Sequence, residues 1–273
     1  MRKQEDRYYL IDRPDPSEEF LYARRIAMSR LQRQFDLKSD KAVNQHADFH
    51  YIRTALTCPR FDDISFGYKN KVFSVLLDFV DDMLISMTPG RCVDTLIDVA
   101  NDNDLVPCLF KIRMSDMKPI SDGWNLFHAV TKNLVIPEII ADGKTARISE
   151  WEYNNWAINV VMDYFDNDNG KILSFCDAPG ILPQIWFENN NNEKCWVLVK
   201  YSVYPNIAEM DEYFVPPRMI LGFKGYFAGV SFCYADERHP EKQLFRSSPA
   251  FVRYLGLQEV WKGKTDVTGG MLQ

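Results

Sequence analysis

The stretch Phe61-Asp62-Asp63-Ile64-Ser65-Phe66-Gly67-Tyr68-Lys69-Asn70-Lys71-Val72-Phe73-Ser74-Val75-Leu76-Leu77-Asp78-Phe79 decides how the rest of the chain is read. It splits into an apolar run, a short Gly/Lys/Asn turn and a second, longer apolar run, the pattern of a β-hairpin. The second strand, Val72–Phe79, is almost wholly apolar, which predicts burial on both faces. A strand of that kind sits in the interior of a sheet covered by helices, and this points to a mixed α/β protein.

The flanking sequence supplies the helices. Ser17 can cap a helix running to about Phe35, with Glu18 and Glu19 in its first turn and an apolar stripe of Phe20, Ala23, Ala27, Leu31 and Phe35. Arg24, Arg25, Arg30 and Arg33 on that helix read as a largely solvated basic face. A second helix is expected over 39–56. After the hairpin, Pro89 and Gly90 open a helix to about Ala100, and Leu105–Ile112 reads as another buried strand. Beyond it, Trp156, Val160, Val161, Tyr164 and Phe165 recur at helical spacing over 150–165. Lys171–Cys176 reads as a strand. A second hairpin follows, with strands Pro183–Phe187 and Lys194–Tyr204 around an Asn-rich tip. Pro216 and Pro217 are expected to precede a short helix, and Phe227–Ala235 to form a strand.

The two halves can be laid on each other about 120 residues apart, as in a duplicated module. Asp63–Phe66 matches Gln184–Phe187, and Phe73–Leu76 matches Trp196–Val199. Arg91 after Pro89 answers Arg218 after Pro217. Cys108-Leu109-Phe110 answers Ser231-Phe232-Cys233, and Leu126-Phe127 answers Leu244-Phe245. The expected architecture is two packed αβββαβ-like modules, 1–145 and 146–262, followed by a flexible tail over 263–273.

Composition narrows the function. The formal net charge of −6 disfavours a nucleic-acid partner, because phosphate neutralisation dominates that affinity. No apolar stretch approaches the roughly 20 residues a bilayer requires, and the N-terminus lacks an apolar signal core. The six cysteines, Cys58, Cys92, Cys108, Cys176, Cys195 and Cys233, form no C-x-x-C pair and read as reduced thiols of a cytoplasmic protein.

The element order of the second half, with Pro183-x-Ile185-x-Phe187 followed by Trp196-Val197-x-Val199-Lys200, resembles the core of the restriction-endonuclease-like PD-(D/E)XK nucleases. That resemblance covers about 100 residues. It implies an Asp at the start of one hairpin strand, and a carboxylate and a Lys two positions apart on the next, together holding a divalent metal. Residue by residue, Pro183 and Lys200 fit, Gln184 stands in place of the Asp, and Leu198 in place of the second carboxylate. Glu152 on the preceding helix could join such a site, although Ser149-x-x-Glu152 also reads as a capping box. In the first half Asp63 fits, while Val75 and Leu77 fall at the carboxylate and Lys positions.

The implied consequence is a non-enzymatic protein-interaction chain of the immunity, inhibitor or adaptor kind, built from nuclease-like modules that need no cofactor. Its binding residues would be Trp186, Tyr201, Tyr204, Arg218 and Arg91, with another protein as partner. The alternative is a metal-dependent nuclease with a displaced site drawn from Asp63, Asp78, Glu152, Asp177 and Lys200 and using Mg²⁺. Asp62, Asp81 and Asp82 lie close in sequence to that set. His46 and His50, four apart with Asp48 between them, would share one face of a helix, but no Glu follows the first His as in a zinc protease.

Overall fold

The computed structural model describes residues 7–8, 15–38, 49–57, 59–165, 170–211, 214–236, 238–246 and 248–262. The chain divides into two compact units. The first comprises Pro14–Glu150 with Phe245–Ser247; the second comprises Met1–Arg13, Trp151–Leu244 and Ser248–Gln273. Both are mixed α/β. Among the described residues no helix is long and apolar enough to cross a membrane.

A two-residue strand, β1 (Arg7–Tyr8), belongs to the second unit. The first unit starts with α1 (Glu18–Lys38), where the Ser17 hydroxyl accepts the Phe20 amide at 3.2 Å. Then come β2 (Phe49–Ile52), β3 (Ile64–Tyr68) and β4 (Lys71–Val80), an antiparallel run with Phe66 opposite Phe73. The helix α2 (Gly90–Asp102) carries the chain across to β5 (Val106–Arg113), which lies parallel to β4. Two short strands, β6 (Lys118–Pro119) and β7 (Leu126–His128), both pair antiparallel with β5. The unit closes with β8 (Leu134–Val135) and α3 (Pro137–Ile140).

One face of this sheet packs against the stripe Ala23, Ala27, Leu31 and Phe35 of α1, using Ile64, Phe66, Phe73, Val75, Leu77 and Phe110. Burying Leu31 and Phe35 contributes about 1.5–3 kcal/mol each. The other face meets α2 through Leu96 and Ala100, both fully buried.

The second unit repeats this scheme. It runs α4 (Glu150–Phe165), β9 (Lys171–Phe175), β10 (Ile181–Leu182), β11 (Ile185–Glu188) and β12 (Lys194–Val203), then β13 (Lys224–Tyr234), β14 (Ala250–Tyr254) and β15 (Gln258–Trp261). The sheet order is β14-β13-β12-β11-β9, with β15 also on β13 and β1 pairing β10 separately. β12 and β13 are parallel, like β4 and β5. β14 pairs the far half of β13 and β15 its near half, as β6 and β7 do on β5.

Three expectations are corrected. Residues 49–52 of the expected second helix form a strand, which pairs antiparallel with β3 and turns Phe49 and Tyr51 to the core cluster; residues 53–56 are not helical, and 39–48, with His46 and Asp48, lie outside the described residues. His50 stands opposite Gly67, whose missing Cβ makes room for the imidazole. After Pro217 there are turns rather than a helix. Finally, Leu126–His128 finds its counterpart in β15 and not in Leu244-Phe245, because Phe245 bridges Arg147 within the first unit. The tail 263–273 lies outside the described residues.

Candidate functional site

Asp63 opens the hairpin of the first module. Its amide donates to Val75 O at 2.9 Å. Its carboxylate accepts the Leu77 amide at 2.7 Å on one oxygen and Arg60 Nε at 2.6 Å on the other. Gln184 does the same in the second module: its amide donates to Val197 O at 3.2 Å, and its side-chain oxygen accepts the Val199 amide at 3.0 Å. Each side chain therefore caps an amide of the neighbouring strand that would otherwise be buried without an acceptor. Burial pushes the Asp63 carboxyl above the usual carboxylate range, with Arg60 opposing the rise. Its neighbour Asp62 accepts the hydroxyls of Ser65 and Ser74.

Strand register relocates the remaining positions. Phe66 faces Phe73, and Phe187 faces Cys195. The structural equivalents of Leu198 and Lys200 are thus Leu76 and Asp78, not Val75 and Leu77. A longer loop in the second hairpin shifts the match by one residue, and one residue exchanges the faces of a strand. Asp78 is fully buried; one carboxylate oxygen accepts the Ser86 hydroxyl at 2.5 Å and the other lies 3.8 Å from Lys111 Nζ. At the matching registered pair the second module has Lys200, which is exposed, beside Gly229.

Among the described residues, no three carboxylates of the displaced-nuclease set gather at one point. Asp63 and Asp78 serve different strand partners. Glu152 and Asp177 are buried in the second module, where Asp177 accepts Asn155 Nδ2 at 3.0 Å. Asp81 folds its own turn, accepting the Met83 and Ile85 amides at 2.9 and 2.8 Å, and Asp82 takes the Ser115 hydroxyl. Among the described residues no three His, Cys, Asp or Glu side chains gather as metal ligands. Mg²⁺ does not fit the hairpin start either: both Asp63 oxygens face N–H donors, and Gln184 and Leu198 offer an amide and an aliphatic chain.

The second module holds a cavity of about 430 Å³ where the first module places its crossover helix. In its place, the segment from Tyr204 to Met210 crosses the sheet without helical structure. Phe227, Gly229 and Ser231 form the floor on alternate positions of β13. Gly229 is required there, because a Cβ would come within 2.7 Å of Ala208 O. Ser231 and Ser202 share a hydrogen bond at 2.8 Å, and Ser202 donates to Asn206 O, which ties the loop down. Arg253 and Glu209 stand at the mouth, both exposed.

Of the expected binding residues, only Tyr204 lines this cavity. Trp186 is fully buried in the core, so it contributes no surface. Tyr201 stacks on Tyr153 at 5.3 Å on the α4 side of the sheet. Arg218 and Arg91 are exposed at the turn after Pro217 and at the start of α2. Sequence reading missed Arg253 and the loop 205–210. The signal was the lack of any helical period between Pro205 and Phe214.

Residues 151–260 match one family model. Its description is a domain of unknown function (DUF8840), and the match spans most of the second module from α4 to β15. No curated protein and no solved structure matches the chain.

Proposed function

We propose that this chain is a non-enzymatic recognition protein of the adaptor or inhibitor kind, acting on another protein, and that its modules are degenerate relatives of the nuclease-like core. The observation that carries this reading is the shared cap. The position that would begin a metal site serves, in both modules, to hold a strand amide, with a carboxylate in one and an amide in the other. Asp63 has one oxygen committed to the Leu77 amide and the other to Arg60, and the single side-chain oxygen of Gln184 is committed to the Val199 amide, so both are poorly placed to ligate a metal.

Exposed apolar side chains support the binding half of the reading. The segments that follow β4 and β12 present them to solvent in both modules: Met83, Ile85 and Met87 in the first, Tyr204 and Ile207 in the second. Such clusters mark interaction surfaces, and methionine adapts to varied partners. The buried thiols of Cys108, Cys176 and Cys195 suit a reducing compartment, so we assign the chain to the cytoplasm.

The test is an assay of the full chain with Mg²⁺ and Mn²⁺ on duplex and single-stranded DNA and on RNA. No cleavage is expected. Cleavage that disappears on Asp63→Asn or Asp78→Asn would return the chain to the nucleases.

A further inference from the structure

We propose that the second module binds an extended polypeptide segment, which adds as a strand to β14 and places an apolar side chain in the 430 Å³ cavity and a carboxylate on Arg253. This rests on the recognition reading above and names the chemistry of the partner.

Four observations converge on it. The cavity falls within the size range of ligand pockets and is mostly apolar, walled by Ile207, Met210, Phe227 and Leu255. Arg253 sits at its mouth, exposed, and its guanidinium has no ion pair among the described residues. An unpaired fork of N–H donors beside an apolar pocket recognises a carboxylate attached to an apolar group. Glu209, on the loop wall, repels the same carboxylate, so the two charges set the direction in which a segment enters.

The remaining observation selects a polypeptide over a fatty acid, which shares the same chemistry. β14 pairs only with β13, so its outer edge keeps free backbone donors and acceptors among the described residues. The strand contains neither Pro nor Lys, the usual guards of an open edge. Phe251 and Val252 are about half exposed, at 52% and 47%, and Leu255 is 70% exposed. Phe251 and Val252 lie outside the cavity lining, so a ligand held within the cavity leaves them uncovered. A strand laid along the edge would cover them and satisfy the open backbone together.

Fluorescence anisotropy with the full chain tests this. The probe is a labelled hexapeptide alternating threonine and valine and ending in leucine with a free carboxylate. The comparison probes are its amide, a form N-methylated at alternate residues, and dodecanoate as competitor. The free acid is expected to bind, with affinity falling about tenfold on amidation or on N-methylation. Arg253→Gln should bind acid and amide equally, and Ile207→Asp should weaken both; each residue is exposed, so each variant should fold. Equal binding of the N-methylated and plain peptides, an undiminished preference for the acid in Arg253→Gln, tighter binding of dodecanoate than of peptide, or no peptide binding would each overturn the proposal. Absence of peptide binding together with a blank nuclease assay removes this site alone, whereas cleavage in that assay removes the recognition reading itself.

Discussion

Asp63 and Gln184 show how one structural task can be met by two different side chains. Both accept a buried strand amide, and Asp63 also meets the Arg60 guanidinium. Burial disfavours the ionised form of Asp63 while Arg60 opposes that effect, and each carboxylate oxygen meets a different N–H donor, so an amide in its place can satisfy only one of them. Asp63→Asn can keep the acceptor for Leu77 but turns an N–H group toward Arg60 and is expected to lose about 1–3 kcal/mol. Asp63→Ala and Gln184→Ala each leave the amide of Leu77 or Val199 without its acceptor and should also lose about 1–3 kcal/mol. Urea midpoints with unchanged slopes provide the measurement, and an alanine variant as stable as the parent would deny the capping role. Thiol chemistry gives a second check at this scale. Burial pushes the Cys195 thiol up to about 11, and raises that of Cys108 as well. Both should resist iodoacetamide at neutral pH in the folded chain, while the half-buried Cys92 and Cys233 react first, as read by mass spectrometry of the labelled protein.

The crossover is the element that separates the modules. In the first it is α2, whose Leu96 and Ala100 cover the sheet. In the second, turns after Pro217 are held by indoles: Trp196 Nε1 donates to Ile220 O at 3.2 Å and Trp261 Nε1 to Leu221 O at 2.8 Å. Gly225 accommodates this arrangement, since a Cβ there would strike the Trp196 ring at 2.0 Å. Trp261→Phe keeps the ring and removes one tie. It should cost about 1 kcal/mol globally but markedly raise amide exchange over the stretch 214–223; uniform protection across that stretch would show that the tie is dispensable. Gly225→Ala should cost more, about 1–3 kcal/mol, through overpacking. The hairpins, α1 and α4 were legible in the sequence because apolar periodicity is a local signal, and Ser17 with its acidic neighbours marked a true helix start. The crossover was not, because two prolines resemble a helix start whether or not a period follows. The cavity was illegible for a related reason: it exists only because a helix is missing, and its Arg253 comes from a strand joined to the loop through tertiary pairing.

At the scale of the whole chain, one αβββ-crossover-β scheme occurs twice, and the pairing frame, more than the residue pattern, reveals it. Cys108-Leu109-Phe110 resembles Ser231-Phe232-Cys233, yet with Val106 registered on Phe73 and Lys224 on Cys195, the true counterpart of Cys108 is Tyr226. The boundary between the modules is also not a single cut. After β13 the chain re-enters the first unit at Phe245–Ser247. There Arg246, its side chain only 4% exposed, donates to Asn70 O at 3.0 Å and Asp104 O at 3.2 Å, and its own amide bonds Ala146 O. The Asp104 carboxylate, 3.5 Å away, is 69% exposed, so its ion pair contributes little and the carbonyl bonds dominate. Arg246→Met preserves most of the apolar stem while stripping two carbonyls of their donors, and should destabilise the first unit by about 2 kcal/mol. Amide exchange resolved by segment reads this directly. Protection should fall around Asn70, Asp104 and Ala146, more than 90 residues earlier in sequence, and hold in β12 and β13; a loss confined to 240–250 would mean that the returning segment leaves the fold of the first unit untouched.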